Sequence, residues 1–235
     1  MVISRIKKTW HDDLVRDPET HAWVLSLYRA GEFHPQASDD YFPAWAAESA
    51  ELRASIERHA SDEIRHVKIY DRAIERLGQT RTEIEGLDVF NVAIREHTKV
   101  DFRATREMSR DTVRERLAHF LAHAHFLETR ISQSLDYHLE ACERSGRTEV
   151  ARVVAAVHVD EERHTSYTLA AVKDLLPASE AARVLAVHRQ GEARANLAFS
   201  ARQVRSFLRR FRTSRSHALV YRVSAKMMEA SLAAL

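Results

Sequence analysis

Two pentapeptides of this chain carry the same chemistry. Asp62-Glu63-Ile64-Arg65-His66 and Asp160-Glu161-Glu162-Arg163-His164 each place a Glu and a His three residues apart. On an α-helix, positions i and i+3 lie on neighbouring turns of one face, so each pair can hold a metal ion from a single helix. Carboxylate oxygen together with imidazole nitrogen suits iron or manganese, being neither thiolate-soft nor purely hard oxygen. A bare Glu-x-x-His says little, because a chain with 14 His and 21 Glu contains about one by chance. The full Asp-Glu-x-Arg-His string has a chance expectation of roughly 0.01 in this composition, so its duplication is a signal.

Each motif has a Glu upstream at a similar distance, Glu32 before Glu63 and Glu128 before Glu161. Two antiparallel helices bring such residues to one height when the turn between them lies midway. The second pair fits, with the turn near Ser145 to Thr148. The first is less tidy because Pro35 follows Glu32 so closely, and proline breaks or kinks a helix. Helix is expected to resume beyond that kink, with Glu19 as the substitute ligand if it does not. Four carboxylates and two imidazoles facing a core are costly unless their charge is compensated; two divalent cations supply that charge. The candidate ligands are therefore Glu32, Glu63, His66, Glu128, Glu161 and His164. His59, one turn before Glu63, and His158, three residues before Glu161, are additional candidates, although helix-face histidines are also commonly satisfied by local partners. His119, His123 and His125 do not share one face and read as structural. Tyr28, Tyr70, Tyr137 and Tyr167 fall within helical reach of a ligand, where packing or a hydrogen bond is the expected role.

Such a constellation needs long helices, and the composition favours them. Apolar residues make up 45%, with only 5 Gly and 4 Pro in 235 residues. Asp17-Pro18 reads as a cap and first helical residue, opening a helix through Trp23, Leu25, Leu27 and Tyr28 toward Glu32. A second helix begins near Pro43 or Ser49 and ends at Gly78. A shorter one covers Val89 to Met108. Asp111 can cap the third long helix, which ends near Gly146; Thr148 starts the fourth, running to about Leu176. Ser179 and Glu180 open a fifth toward Phe211, and His217 to Leu235 forms the last. The expectation is one all-α domain over 1–235, with the ligands in a bundle at about 18–176 and additional C-terminal helices at about 178–235.

Other classes drop out. The single Cys142 excludes an internal disulfide framework, a Cys-built zinc or iron–sulfur site and a rubredoxin-type centre. No apolar run reaches the roughly 20 residues that span a bilayer, and Met1 to Asp17 is charged, without the apolar core of a signal peptide. No membrane association and a cytoplasmic location are expected. Net charge is +2, yet the stretch from Ala193 to Met228 holds no acid and includes Arg194, Arg202, Arg205, Arg209, Arg210, Arg212, Arg215 and Lys226. Val204, Phe207, Leu208 and Phe211 give it an apolar face as well. It reads either as a solvated basic face or as a docking surface for an acidic partner such as a carrier protein, a phosphorylated substrate or RNA.

The repeated Glu…Glu-x-x-His pattern resembles the ferritin-like diiron-carboxylate superfamily over roughly residues 18–176. That resemblance implies a ferritin-like four-helix bundle and two iron ions, with manganese or a mixed pair as the variant. The Asp-Glu-x-Arg-His form is similar to the oxygen-activating branch, such as bacterial multicomponent monooxygenase hydroxylases. By that likeness Asp62 would accept a hydrogen bond from His164 and Asp160 from His66, fixing each imidazole tautomer, while Arg65 and Arg163 balance the acids. His59-x-x-x-Glu63-x-x-His66 also looks like the arylamine N-oxygenases of the superfamily, although there the third histidine belongs to the later motif helix. The implied activity is a non-heme diiron oxygenase using O2 as co-substrate. It would hydroxylate or N-oxygenate a small or carrier-tethered substrate, with an external electron donor, as a monomer or homodimer. Ferroxidase or iron-storage activity and tRNA hydroxylation are the alternatives.

Overall fold

The structure, a computed structural model, describes residues 2–37, 41–83 and 89–235. Those residues form eight α-helices and one short 3-10 turn, Ala44–Ala46, with no strand among them. The helices are α1 (Val2–Arg16), α2 (Pro18–Gln36), α3 (Ala50–Arg76), α4 (Phe90–Thr98), α5 (Arg110–Arg144), α6 (Thr148–Leu175), α7 (Ala178–Arg210) and α8 (Arg215–Ala234). The all-α expectation holds. Among the described residues no helix is long and apolar enough to cross a membrane.

Local chemistry sets the boundaries. Ser49 caps α3 by accepting from Leu52 N, and Ser109 caps α5 by accepting from Thr112 N. Asp111 is therefore not the cap of α5; it sits in the first turn and pairs with Arg114 instead. Both long helices end in the same glycine-dependent turn. Gly78 and Gly146 have φ of 66° and 70°, and the residue after each returns a hydrogen bond to the third-last helical carbonyl (Gln79 N to Ile74 O, Arg147 N to Cys142 O).

One helix is added and two expected boundaries are corrected. Residues 2–16 form a helix of their own, α1, whose Leu14 and Val15 are fully buried. The short helix expected over Val89 to Met108 ends at Thr98, because Lys99 takes the left-handed conformation, φ 57°, and stops it. Helix does not resume beyond Pro35. That residue stands in the final turn of α2, and the described residues between α2 and α3 include no other α-helix.

The packing order around the core is α2 on α3, α3 on α6 and α6 on α5. Helices α2 and α5 do not pack backbone against backbone; α4, α7 and α1 bridge the gap between them. Apolar layers lie at two levels. One contains Ile56, Leu117, Leu121 and Val172, the other Leu25, Ile69, Tyr70, Leu135, Val154 and Val157. Along α3 the first layer precedes the second, and along α6 the order reverses, so the two helices are antiparallel. Between those levels each helix carries its motif. Helices α1, α2, α7 and α8 share a third cluster around Trp23, Phe207 and Tyr221, which anchors the C-terminal helices to the rest.

Candidate metal centre

All six expected ligands lie in the polar layer between the apolar levels, and all are buried: Glu32 2%, Glu63 4%, His66 0%, Glu128 3%, Glu161 0% and His164 1% exposed. Glu32, Glu63, His66 and Glu161 offer ligand atoms within 4.8 Å of one another, as do His59, Glu63 and His164. His66 Nδ1 is 3.4 Å from Glu32, 3.3 Å from Glu161 and 3.9 Å from Glu63. His164 Nδ1 is 3.1 Å from Glu161 and 4.0 Å from Glu63. Glu63 and Glu161 thus stand between two half-sites, with Glu32 and His66 on one side and His164 on the other.

His59 completes the second half. Its Nε2 lies 3.4 Å from Glu63 and 3.5 Å from Glu128, its ring stacks on His164 at 3.7 Å, and its Nδ1 meets the Tyr167 hydroxyl at 2.8 Å. That last bond fixes which nitrogen faces inward. His158 does not join the cluster; its Nε2 is bound to Asp136 at 2.9 Å and Ser132 at 3.3 Å. Helix direction explains the difference: Asp136 and Ser132 on α5 lie toward the far end of the bundle from Glu128. Glu19 is exposed and plays no part. His119, His123 and His125 bind His188, Asn91 and the Thr165 carbonyl, none of them at the cluster.

Glu32 reaches the site from the last turn of α2 without the helical extension expected beyond Pro35. The tie is Gln36, whose amide donates to the Glu32 and Glu63 carbonyls at 3.0 and 2.9 Å and holds the end of α2 on α3. Nothing in the motif pointed to that residue. Tyr167 was in view only as one of four tyrosines within reach of a ligand.

Outside the ligands runs a symmetrical ionic network. Asp160 accepts from His66 Nε2 and Asp62 from His164 Nε2, both at 3.2 Å. Arg163 donates to Asp62 at 2.6 Å and Asp160 at 2.7 Å, while Arg65 donates to Asp62 at 2.9 Å and also to Asp160. Burial opposes ionisation of both acids, but hydrogen bonds from Arg65, His164 and Arg163 bring Asp62 down to about 2, and those from His66, Arg163 and Arg65 lower Asp160. Two stable carboxylates therefore hold the Nε2 protons, leaving both Nδ1 atoms directed at the shared glutamates.

The interior calls for positive charge. Burial first, then repulsion from Glu32, Glu128 and Glu161, pushes Glu63 well above the usual carboxylate range. Burial, then Glu128, does the same to Glu161. Burial would lower His66, yet hydrogen bonds to Glu161 and Glu32 lift it to about 11. Burial and the neighbouring His59 push His164 down to about 3. Four buried atoms at the centre have no hydrogen-bond partner: His59 Nε2, Glu63 Oε1, Glu128 Oε2 and Glu161 Oε1. Unpaired buried acceptors converging on one place are what a pair of cations would satisfy. The donor set fits.

A cavity of about 130 Å³ opens on this cluster between α2, α4, α5 and α7. Glu32, Glu63 and Glu128 form its floor, and Leu27, Phe90, Leu127, Ile131 and Phe199 its walls. Asn196, Ser200 and Gln203 of α7 also line it, so the acid-free segment contributes to the cavity as well as to the surface. These lining residues share the apolar pattern of any core and had no separate mark in the sequence.

Comparison of the chain with protein-family models, with curated proteins and with solved structures gives no match. What stands in place of a family is the geometry: two Glu-x-x-His half-sites joined by shared carboxylates, oriented from outside by paired Asp and Arg.

Proposed function

We propose that this chain is a non-heme diiron oxygenase built on a ferritin-like four-helix bundle of α2, α3, α5 and α6. The carrying observation is the apolar cavity whose floor is Glu32, Glu63 and Glu128. A protein that only oxidises or stores iron needs a path for ions, whereas apolar walls against the carboxylates accommodate an organic substrate. Glu32 and His66 would hold one iron, Glu128, His164 and His59 the other, with Glu63 and Glu161 shared. Two ferrous ions so held would supply the electrons that activate O2, the oxidant, which side chains alone cannot do.

The remaining work belongs to the chain. Asp62 and Asp160 keep a proton on each His Nε2, and the Tyr167 hydroxyl binds His59 Nδ1, so three imidazole lone pairs stay directed inward. Arg65 and Arg163 neutralise the two acids without entering the site. Leu27, Leu127, Ile131 and Phe199 exclude water and orient an apolar portion of the substrate, while Ser134, Asn196 and Gln203 offer hydrogen bonds for a polar portion. The third histidine leaves both carbon and nitrogen oxidation within this reading. Manganese or a mixed pair fits the same donors.

The test is anaerobic loading with Fe2+ followed by exposure to O2. Two ferrous ions per chain and an O2-dependent absorbance change are expected, with metal content lost in Glu161→Gln. A chain that binds no second metal ion, or that shows no absorbance change with O2, would remove this reading.

A further inference from the structure

A second group of metal-type side chains lies outside the carboxylate cluster. His21 of α2 and His138 and Cys142 of α5 are each 0% exposed, and their ligand atoms fall within 4.8 Å of one another. His21 Nε2 is 3.0 Å from His138 Nε2 and 3.7 Å from Cys142 Sγ. His138 and Cys142 stand four residues apart, on one face of α5. A cation bound at about 2.0–2.1 Å by nitrogen and about 2.3 Å by sulfur spaces its donors roughly 3.3–3.7 Å apart. Two of the three spacings already lie close to that range, and the third is within 4.8 Å. One cysteine rules out a site built from thiolates alone; it does not rule out one thiolate with two imidazoles.

We propose that His21, His138 and Cys142 form a second metal site, for one thiolate-preferring cation of the Zn2+ and Cu+ class. Two imidazoles and a thiolate select against iron and manganese in their carboxylate form and favour the softer ions. Burial keeps both imidazoles neutral. It pulls His21 down to about 2 and His138 to about 4, so both rings keep a free lone pair at neutral pH. It lifts the Cys142 thiol to about 12, so a cation bound there would displace the thiol proton to solvent. His11 of α1, 5% exposed, lies edge-on to His138 with ring centroids 6.1 Å apart and closes the site from the third side.

Its position gives it a role. Helices α2 and α5 do not pack backbone against backbone, and this site would join them directly. Tyr28 packs on His138 at 5.4 Å and also lines the cavity above the carboxylates. A cation here would therefore pin one cavity wall in place.

Cobalt tests the site, because Co2+ bound to a thiolate gives a near-ultraviolet sulfur-to-metal charge-transfer band that carboxylate and imidazole sites lack. Metal-free full-length protein titrated with Co2+ alone should develop this band, and a Glu63→Gln/Glu161→Gln variant should retain it. Cys142→Ser should lose the band, and His138→Gln should bind at least tenfold more weakly, while both keep the wild-type Fe2+ stoichiometry at the carboxylates. One equivalent of Zn2+ or Cu+ should bleach the band in the wild type. Zn2+ should raise the melting temperature of the wild type by more than that of Cys142→Ser or, should serine disturb folding, of Cys142→Ala. Absence of the charge-transfer band in folded, Co2+-saturated wild-type protein overturns the proposal, whatever iron does at the carboxylates.

Discussion

Asp160 and Asp62 decide which nitrogen of His66 and His164 faces the shared glutamates, so neither can be replaced without loosening the site. Asp160→Asn keeps the size of the side chain but presents an amide whose orientation no longer dictates the imidazole proton. It also leaves Arg65 and Arg163 without one of their two acids. Metal affinity is expected to fall about 10–100-fold with the helical fold retained, which a Mn2+ titration and far-UV circular dichroism would check. Gly31 tests the cavity from the opposite direction. It lines the cavity, and a Cβ built there meets nothing within 4 Å. Gly31→Ala should therefore stabilise the chain by about 0.5–1 kcal/mol through helix propensity, leave metal content unchanged and narrow the space above Glu32; a lower melting temperature would show that the position is not open. At this scale the sequence was legible where a pattern was duplicated. The Asp-Glu-x-Arg-His strings marked four residues of the buried cluster and the acids and arginines around them. Choosing between His59 and His158 was beyond it, since both sit one turn from a Glu and only the neighbouring helix decides. His59 finds Glu128 and Tyr167, while His158 finds Asp136. His21, His138 and Cys142 escaped notice because they come from two helices and repeat nothing, although the His138 to Cys142 spacing was there to be read.

The ends of α3, α5 and α6 could be placed from Gly78, Gly146 and Pro177, because glycine and proline act locally, although Ser109 and not the expected Asp111 caps α5. α1 also carries a local signal, Ile6, Trp10 and Leu14 at helical spacing, which its high charge obscures, and it packs against α5 and α2. The early stop of α4 at Lys99 was equally hidden, because a lysine in the left-handed region has no sequence signature. What α4 does is clearer from its contact with α7. A Cβ at Gly191 would fall on the Thr98 Oγ1 and within 2.9 Å of the Thr98 Cα, so the two helices touch at a point that admits only glycine. Gly191→Ala gains about 1 kcal/mol of helix propensity but must push α4 outward, at an overpacking cost of about 1–3 kcal/mol. Because α4 carries Phe90 and Asn91 into the cavity wall, the displacement should alter substrate access more than metal binding. Thermal melting and Mn2+ stoichiometry measured on one preparation separate the two: a lower melting temperature with unchanged stoichiometry is expected. A variant as stable as the wild type would mean that α4 is not pinned there.

Across the whole molecule, the buried charge layer should make the metal-free chain lose stability as the solution becomes alkaline. Glu63 and Glu161 are raised well above the carboxylate range, chiefly by burial, and His66 is raised to about 11 by its glutamate partners against the opposing effect of burial. The folded chain holds these protons at pH values where the unfolded chain has released them, so folding stability falls as pH rises above 7. His11, His21, His123, His138, His164 and His188 are all lowered, chiefly by burial, and act in the other direction. Their contribution grows through their unfolded value of 6.5 and levels off toward pH 8, where the unfolded histidines are nearly all neutral. Asp62 and Asp160 are depressed and matter only in acid. Toward the upper end of the window from pH 7 to 8.5 the carboxylate site therefore dominates, with a smaller contribution of the same sign from Cys142, whose thiol burial raises to about 12. Each proton by which the folded and unfolded chains differ is worth about 1.4 kcal/mol per pH unit, which for a chain of this size is roughly 3–6 °C in melting temperature. Two cations bound at the glutamates displace the same protons, so the Mn2+-loaded chain should show little slope there and should bind Mn2+ more tightly at pH 8.5 than at pH 7. Melting curves of metal-free and Mn2+-saturated protein across the window decide it. A metal-free chain whose melting temperature stays level or rises would mean that the four glutamates are already compensated by the protein itself, and that the layer was not built to receive metal.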